Sequence, residues 1–291
     1  MVRALSLQKE VEALDEGRAY AELAQVALTL VSGSDARAWL NDLVTTDVQT
    51  LDRFQSRPCL LLGPTGRIRA SFHVLALGDR DFALAQPLDQ PEPIFNALAP
   101  YVLSSDVALS PSRLRLFAVP GGAVPPDRIG NAYRPSILGG GYDLLIGASD
   151  DAVFDDLRQD LASEGLLPAG PEVVEARRIR RGEAAFPRDL DTDSLPAEAG
   201  LDVAPVTDRA KGCFLGQEAV AKVANLGHPT RIVFPVEAAA PIHEGETVRT
   251  GSGADVGLLT SAFDRLGIVR VRWDARDADL ATSSGTLLHT R

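Results

Sequence analysis

The segment KGCFLGQE, residues 211–218, places a lysine and a cysteine directly before a predicted helix. Cys213 stands two residues after Lys211, and the helix is predicted to begin at Gln217. A nearby cation and a helix N-terminus both favour a thiolate, so the pattern predicts a lowered pKa for Cys213 and a reactive or partner-sensing sulfur. The alternative is an isolated cysteine that packs as a small buried hydrophobe.

The elements around this segment indicate how the cysteine would be held. Gly212 and Gly216 permit backbone angles that other residues avoid. The stretch that follows has an apolar helical face, and Gly227 predicts its C-terminal end. Glu218 falls in the first turn, where a negative charge is favoured. Gln217 and Glu218 could equally serve only as helix caps.

The composition narrows the classes of function. A net charge of −11 argues against bulk capture of DNA or of an anionic membrane. The cysteines are Cys59 and Cys213, which supply neither a disulfide framework nor the four ligands of a structural zinc site. We therefore predict no metal site, and we do not expect this chain alone to ligate an iron–sulfur cluster.

The sequence shows no signal for a membrane or for export. It has no run of about 18 apolar residues, and its N-terminal stretch lacks the apolar core of a signal peptide. These features predict no transmembrane helix and a cytoplasmic location.

Hydrophobic patterns predict an α+β protein. Strands followed by helices occur twice, which is typical of ferredoxin-like units. Helices are predicted at 34–44, 91–103, 149–165 and 171–183, and a Pro/Gly-rich loop at about 120–141. After residue 228 the helical period disappears, and short strands separated by Gly, Asp and Ser predict a small antiparallel barrel at 230–291.

Four blocks of the sequence carry a family resemblance. They are KGCFLGQE, VSGSDARAWLNDLVTTDVQTL (31–51), RRGEAAFPRDLDTDSLPAEAGL (180–201) and DVGLLTSAFDRLGIVRVRW (255–273). Together they resemble the YgfZ-type folate-binding proteins, which are relatives of the glycine cleavage T-protein, an aminomethyltransferase.

The resemblance implies a fold of three domains arranged in a ring around a central hole that binds folate. The domains would be a discontinuous folate-binding α+β domain (1–112 and 171–228), a second ferredoxin-like α+β domain (113–170) and a C-terminal β-barrel (229–291). The implied ligand is tetrahydrofolate or a one-carbon derivative of it.

The resemblance also implies a function. The chain would support iron–sulfur cluster assembly or repair, including the maturation of tRNA-modifying enzymes, with Cys213 as its functional thiol. Its partners would be iron–sulfur assembly proteins or client enzymes, and it would be a monomer. Two alternatives stay open: a tetrahydrofolate-dependent aminomethyltransferase, and a scaffold whose ligand site has decayed. Whether the chain is an enzyme is therefore undecided at this point.

Several residues match ligand positions of the resembled family. Glu198 matches the pterin-binding glutamate, and a carboxylate can accept hydrogen bonds from the amino group and the ring N–H of a pterin. Arg231 would face the hole and bind the carboxylate of the folate tail. Gln217 and Arg181 are further candidates for folate binding, and Lys211 would assist Cys213. The alternatives are a solvated loop acid for Glu198 and solvated surface arginines for Arg231 and most of the helix 171–183.

One departure favours the accessory role over the transferase. T-proteins place an acidic residue shortly after the strand assigned to 81–87, and neither Asp89 nor Glu92 aligns cleanly with it. Without a positioned carboxylate, proton transfer in an aminomethyl reaction lacks its obvious agent. The cysteine of the 211–218 segment also distinguishes this chain from T-proteins.

Overall fold

The structure is a computed structural model that describes residues 2–122, 132–147 and 151–291, without the side chains of residues 2–5 and 226. The start of the predicted helix 149–165 and residues 123–131 of the predicted loop 120–141 lie outside the described residues. The chain divides into two compact units. Unit 1 comprises Met1–Leu61, Arg69–Val174 and Ala204–Leu215, and unit 2 comprises Leu62–Ile68, Glu175–Val203 and Gly216–Arg291.

The described helices and strands alternate along the chain in the predicted α+β manner. The α-helices are α1 (Val2–Asp15), α2 (Ala36–Leu43), α3 (Ile94–Leu98), α4 (Ala152–Ser163), α5 (Pro171–Arg181) and α6 (Gln217–Leu226). The strands are β1 (Ala19–Glu22), β2 (Val26–Ser32), β3 (Ser56–Leu62), β4 (Ile68–Ala76), β5 (Asp81–Pro87), β6 (Ala108–Ser112), β7 (Arg115–Val119), β8 (Ala132–Tyr133), β9 (Tyr142–Ile146), β10 (Leu167–Ala169), β11 (Arg231–Ala238), β12 (Thr247–Thr250), β13 (Asp255–Phe263), β14 (Leu266–Arg272), β15 (Leu280–Thr282) and β16 (Leu287–Thr290).

Unit 1 contains two sheets of five strands. One has the order β3-β4-β5-β2-β6, and α2 packs on its core face through Trp39 and Leu40. The other has the order β10-β1-β7-β9-β8, in which β1 pairs parallel with β10. In the second sheet Phe117 and Leu144 pack against Leu161 of α4. Both sheets bury one face under a helix, as the strand-then-helix order predicts.

Unit 2 contains a closed barrel with the strand order β11-β14-β13-β12-β15-β16. Its pairings are antiparallel, and its core includes Val236, Val248, Leu259, Val269 and Val271. The predicted barrel at 230–291 is therefore confirmed. Closure leaves the barrel no free sheet edge, which suits strands this short.

The N-terminus of α2 is held by side-chain hydrogen bonds to the segment before β6 rather than by a side-chain cap. Asp35 occupies the N-cap position, but its side chain makes no capping hydrogen bond. Instead Asp35 Oδ2 accepts from the backbone N–H of Asp106 at 2.8 Å, and Ser34 Oγ donates to Asp106 Oδ2 at 2.7 Å. The two side chains therefore tie the start of the helix to the segment before β6.

The predicted helix 91–103 is shorter in the structure. Only α3 and a 3-10 turn at Ala99–Tyr101 form, because Pro100 has no N–H to continue the helix. The buried side chain of Gln86 caps α3 by accepting the N–H of Ile94 at 2.6 Å. The short pair β1 and β10 and the helix α1 were not predicted. Among the described residues, no helix is both long and apolar enough to span a membrane.

Candidate functional site

Glu198 is buried in unit 2. It lies in a 3-10 turn, Pro196–Ala199, which begins with proline and ends at Gly200 with φ of 66°. Its side chain folds back so that Oε1 accepts the N–H of Leu195 at 3.2 Å. The residue is 2% exposed. The alternative of a solvated loop acid is therefore wrong.

Arg270 binds the second oxygen of this carboxylate. Its Nη2 donates to Glu198 Oε2 at 3.2 Å and to Ser194 Oγ at 2.8 Å. The same guanidinium forms a bidentate pair with Asp191, at 2.6 and 3.1 Å. Hydrogen bonding from Arg270 holds the pKa of Asp191 well below its usual range. Arg270 is thus held by hydrogen bonds to three side chains at once.

Arg231 stands beside the same carboxylate but is held loosely. Its Nε lies 3.4 Å from Glu198 Oε2, and its Nη2 lies 3.8 Å from Asp191 Oδ1. Its side chain is 36% exposed, against 14% for Arg270. The Nε atoms of both arginines are buried, and among the described residues neither makes a contact with hydrogen-bond geometry, although Glu198 Oε2 lies 3.4 Å from the Nε of Arg231. The alternative of a free surface arginine does not hold for Arg231.

Strand geometry explains why the two arginines meet. In β14, Val269 and Val271 point into the barrel core, so Arg270 between them points outward. Arg231 pairs with Arg272 in the register of β11 and β14, which places it on the same outer face. The turn that carries Glu198 packs against β11 within unit 2.

The hydrogen-bonding groups of this cluster correspond in type to those that the edge of a reduced pterin requires. A carboxylate offers about four acceptor sites, and in Glu198 the N–H of Leu195 and the Nη2 of Arg270 hydrogen-bond to two of them. The remaining sites can accept the neighbouring donors of a pterin edge. The buried Nε atoms of Arg231 and Arg270 offer donors to an acceptor on the same ligand. The donor set is therefore compatible with a ligand edge that carries both donors and an acceptor.

A small apolar cavity lies next to the Glu198 turn. It is lined by Leu195, Pro196, Ala197, Asp202, Val220 and Val223. The Glu198 carboxylate does not line this cavity, so the polar cluster around Glu198 is a separate feature.

Cys213 is exposed, in contrast to Cys59, which is buried in unit 1. The alternative of a buried hydrophobic Cys213 is therefore wrong. The contacts of Lys211 Nζ are with groups other than the Cys213 thiol. This Nζ donates to the backbone carbonyl of Asn41 and lies 5.5 Å from the ring centroid of Phe214. Burial lowers the pKa of Lys211. Its observed contacts are those of an anchor for the segment.

Two buried threonines hold the chain just before Lys211. Thr45 Oγ1 donates to the carbonyl of Val206 at 2.6 Å and accepts the N–H of Leu60 at 2.9 Å. Thr46 Oγ1 donates to the carbonyl of Pro205 at 2.8 Å. The TTDV part of the 31–51 block thus anchors the segment that leads to Cys213, which sequence reasoning did not reveal.

The two remaining predicted folate-binding residues are Arg181 and Gln217. Arg181 is exposed and pairs with Glu183, with Nε 2.6 Å from Oε1. Gln217 is the first residue of α6 and is half-buried. Their roles in folate binding stay predictions.

The expectation that most arginines of α5 are solvated is wrong, because among Arg177, Arg178, Arg180 and Arg181 only Arg181 is exposed. Arg177 is buried, and Arg178 pairs with the buried Asp189 at 2.6 Å and with Glu175 at 2.7 Å. Arg178 also donates to Ser261 of β13 at 2.7 Å. Arg178 therefore connects α5 to the barrel rather than facing solvent.

Sequence reasoning missed Arg270, Asp191 and Ser194. The VRVRW stretch at 269–273 could have indicated that Arg270 lies on the outer face of a barrel strand, because its arginines alternate with core valines. In the part of the chain that the structure describes, no group of three or more His, Cys, Asp or Glu side chains is placed to hold a metal.

Comparison with known proteins gives matches over the barrel and over most of the chain. Residues 231–291 match the family described as CAF17, C-terminal beta-barrel domain. An aminomethyltransferase of Chlorobium chlorochromatii is 25% identical, over 79% of this chain and 71% of its own length. An iron–sulfur cluster assembly factor IBA57 homologue of Cryptococcus neoformans, described as mitochondrial, is 26% identical, over 74% of this chain and 65% of its own length.

Other relatives are longer than the matched region. The chain spans 63% of the length of a chloroplastic Arabidopsis thaliana protein that is 25% identical to it. Among solved structures, the glycine cleavage system aminomethyltransferase T of Bartonella henselae superposes with a TM-score of 0.79 at 17% identity. That superposition covers 98% of this chain and 87% of the other. The chain therefore has the aminomethyltransferase T fold, its barrel is similar to the CAF17 C-terminal barrel, and most of its length is similar in sequence to aminomethyltransferases and IBA57 homologues.

Proposed function

We propose that this chain is a tetrahydrofolate-binding accessory protein that supports iron–sulfur cluster assembly or repair. Its clients include tRNA-modifying enzymes, it works in the cytoplasm as a monomer, and Cys213 is its functional thiol. The observation that carries the proposal is the buried Glu198 carboxylate flanked by Arg270 and Arg231. The IBA57 relatives are named as iron–sulfur cluster assembly factors, which supports the proposed role in cluster assembly.

Within this proposal the chain binds and orients the folate head. Glu198 accepts hydrogen bonds from the amino and ring N–H groups of the pterin, and burial keeps competing water away from these bonds. Arg270 fixes the carboxylate in one orientation because it is itself bound to Asp191 and Ser194. When bound, a reduced folate supplies one-carbon or reducing chemistry.

Cys213 acts as an accessible thiol held at a fixed place in unit 1. Its exposure lets it reach a cluster, a persulfide or a partner protein. Lys211, Thr45 and Thr46 support it by anchoring the chain on either side of Asp208 and Arg209. This assigns Lys211 a positioning role next to the thiol.

The alternative function is a tetrahydrofolate-dependent aminomethyltransferase, as in the Chlorobium relative. One observation weighs against it. Glu92 is paired with Arg69 at 2.8 Å, and Asp89 is an exposed residue beyond β5. Neither is a free carboxylate held for proton transfer. Turnover of an aminomethylated lipoyl carrier by the purified chain would establish the alternative.

Complementation of a deletion strain tests the proposed function. Cys213→Ala should fail to restore the activity of iron–sulfur enzymes, while the purified variant keeps its affinity for tetrahydrofolate. Cys59→Ala is the matched control, since that thiol is buried and should be dispensable for rescue. Full rescue by Cys213→Ala contradicts the role of the thiol.

A further inference from the structure

Asp143 of β9 is a buried carboxyl group that holds the loop between β8 and β9. Its Oδ1 accepts the hydroxyl of Ser136 at 2.5 Å, and its Oδ2 accepts the N–H of Ile137 at 2.7 Å. Asp143 is 0% exposed and Ser136 is 1% exposed. Ser136 Oγ in turn accepts the N–H of Leu138 at 3.1 Å. Through these bonds one carboxyl group fixes three successive residues of the loop.

The loop is anchored at its start, whereas its end consists of glycines. The N–H of Arg134 donates to the carbonyl of Phe54, and the carbonyl of Arg134 accepts the N–H of Ser56, both at 2.8 Å. Residues 139–141 are three successive glycines with φ of 79°, 76° and 42°. Such glycines adopt backbone angles that other residues avoid and can absorb a rotation of the chain. Residues 136–141 are therefore the part of the loop that can move as a unit.

Asp143 forms no ion pair with any residue that the structure describes. Its neighbour on β7 is Ala118, and the guanidinium of Arg134 lies over the ring of Tyr142, 5.8 Å from the centroid. Burying an ionised carboxylate without a cation is costly, so the closed loop favours the protonated carboxyl. Burial accordingly raises the pKa of Asp143 from 3.8 to about 7.

The other titratable groups of this face keep their charge near neutral pH. Tyr133 lies opposite Asp143 in the register of β8 and β9, and burial raises its pKa. His73 lies on the side of β4 that faces the same core, and burial lowers its pKa to about 4. Arg53, near Tyr133, lies over the ring of Phe54 at 4.5 Å from the centroid. Among these groups, Asp143 is the one whose charge changes as pH approaches 7.

We propose that residues 136–141 form a latch that is closed while the Asp143 carboxyl is protonated and that opens when this carboxyl ionises. In the open state water replaces Ser136 and Ile137 around the carboxylate, which is then hydrated instead of buried. Opening also exposes Ile137 and Leu138, which in the closed state pack against a hydrophobic core of unit 1. The latch thus makes the exposure of an apolar patch depend on pH. This regulation goes beyond the proposed function and needs no bound folate.

The pH range of opening follows from the proton that the two states bind. In the open state the carboxyl of Asp143 has the ordinary pKa of about 3.9, whereas in the closed state its pKa is about 7. Between these values the closed state keeps a proton that the open state has released. The ratio of open to closed latch therefore rises about tenfold per pH unit in this range. Above about pH 7 the carboxyl is ionised in both states, and the ratio stays constant.

Amide exchange at residues 137–139, corrected for the intrinsic effect of pH on exchange, tests the latch. In the wild-type protein the protection factors should fall about tenfold per pH unit from pH 5.5 to about pH 7 and then level off. Asp143→Asn cannot ionise, so its protection factors should stay constant within about threefold from pH 5.5 to 8.5. Asp89→Asn is the matched control, because Asp89 is exposed in the same unit, and it should keep the wild-type profile.

A second variant keeps the carboxyl and changes its environment. Ser136→Ala removes a hydroxyl that stabilises the ionised form of Asp143, so the fall in protection should extend to higher pH by about one unit. The amides of β5 show whether the opening is local. At each pH the latch amides should be protected at least about tenfold less than those of Ala83–Ala85, since the latch opens without unfolding of unit 1.

Three results overturn the latch. One is a wild-type profile that stays flat from pH 5.5 to 7. Another is a fall of the same size in Asp143→Asn, which would assign the titration to a different group. The third is equal protection of the latch and of β5, which would mean that the loop opens only when the unit unfolds.

Discussion

Arg270 and Glu198 form an ion pair, with Nη2 3.2 Å from Oε2, in which the carboxylate side chain is 2% exposed. Burying a carboxylate is costly unless a cation and hydrogen bonds compensate it. Arg270 provides this compensation and is itself fixed by Asp191. The pair therefore explains how the chain keeps the Glu198 carboxylate out of water.

Arg270→Met should destabilise the protein, because it removes the only arginine that hydrogen-bonds to the buried Glu198 among the described residues. Breaking a buried ion pair on one side costs about 3 kcal/mol or more of unfolding free energy. Urea denaturation measures the loss. Arg272→Met, next along the strand but paired with the exposed Asp274, should change stability by less than about 0.5 kcal/mol. Equal losses of unfolding free energy in the two variants would show that the Arg270–Glu198 pair stabilises the protein no more than an exposed ion pair does.

Asp143→Asn should change how stability depends on pH. Burial raises the pKa of Asp143 from 3.8 to about 7, while Ser136 and the N–H of Ile137 hydrogen-bond its oxygens. Between about pH 4 and pH 7 the folded state thus keeps a proton that the unfolded state has released. The stability that this bound proton contributes is lost as pH rises from about 4 to about 7. The unfolding free energy of Asp143→Asn relative to wild type should rise across that window, by up to about 1.4 kcal/mol per pH unit.

The control for Asp143→Asn is Asp89→Asn, because Asp89 is exposed in unit 1. Its difference from wild type should stay constant between pH 4.5 and 7, within about 0.3 kcal/mol. A flat difference for Asp143→Asn as well would mean that Asp143 stays ionised in the folded protein.

His73→Gln should have the opposite pH dependence. Burial lowers the pKa of His73 from 6.5 to about 4, so the unfolded state takes up a proton that the folded state refuses. The contribution of His73 to the stability of the wild-type protein is fully present above pH 6.5 and is lost as pH falls toward 4. Glutamine cannot titrate, so His73→Gln should gain stability relative to wild type on acidification. Thermal unfolding at pH 5 and pH 8 gives the comparison; a variant that loses stability at pH 5 relative to wild type contradicts this assignment.

The barrel could be predicted from sequence, whereas the Glu198 cluster could not. Short strands punctuated by Gly, Asp and Ser indicate a barrel locally, since alternation sets which side chains point inward. The burial of Glu198 depends on Arg270, which lies 72 residues away, so no local pattern reveals it. Likewise, nothing near Thr45 in sequence indicates that its hydroxyl binds Val206. Local signals predicted the elements, and long-range polar pairs determined the site.

The anchoring of the cysteine segment gives a further prediction. Thr45→Val removes the hydroxyl that bonds Val206 and leaves the buried N–H of Leu60 without its acceptor. We expect a loss of about 2 kcal/mol in unfolding free energy. Because the segment is less firmly held, amide exchange at residues 206–213 should accelerate. Thr50→Val, at an exposed residue of the same unit, is the control. Unchanged exchange in Thr45→Val would show that this threonine does not anchor the segment.

The central claim is that the buried carboxylate of Glu198 binds the pterin of a reduced folate. Calorimetric titration with tetrahydrofolate of wild type, Glu198→Gln and the exposed control Glu183→Gln tests it most directly. Circular dichroism confirms that each variant is folded at the titration temperature. The account predicts that Glu198→Gln weakens binding by about 10–100-fold and that Glu183→Gln leaves it unchanged. A folded Glu198→Gln protein with wild-type affinity would contradict it.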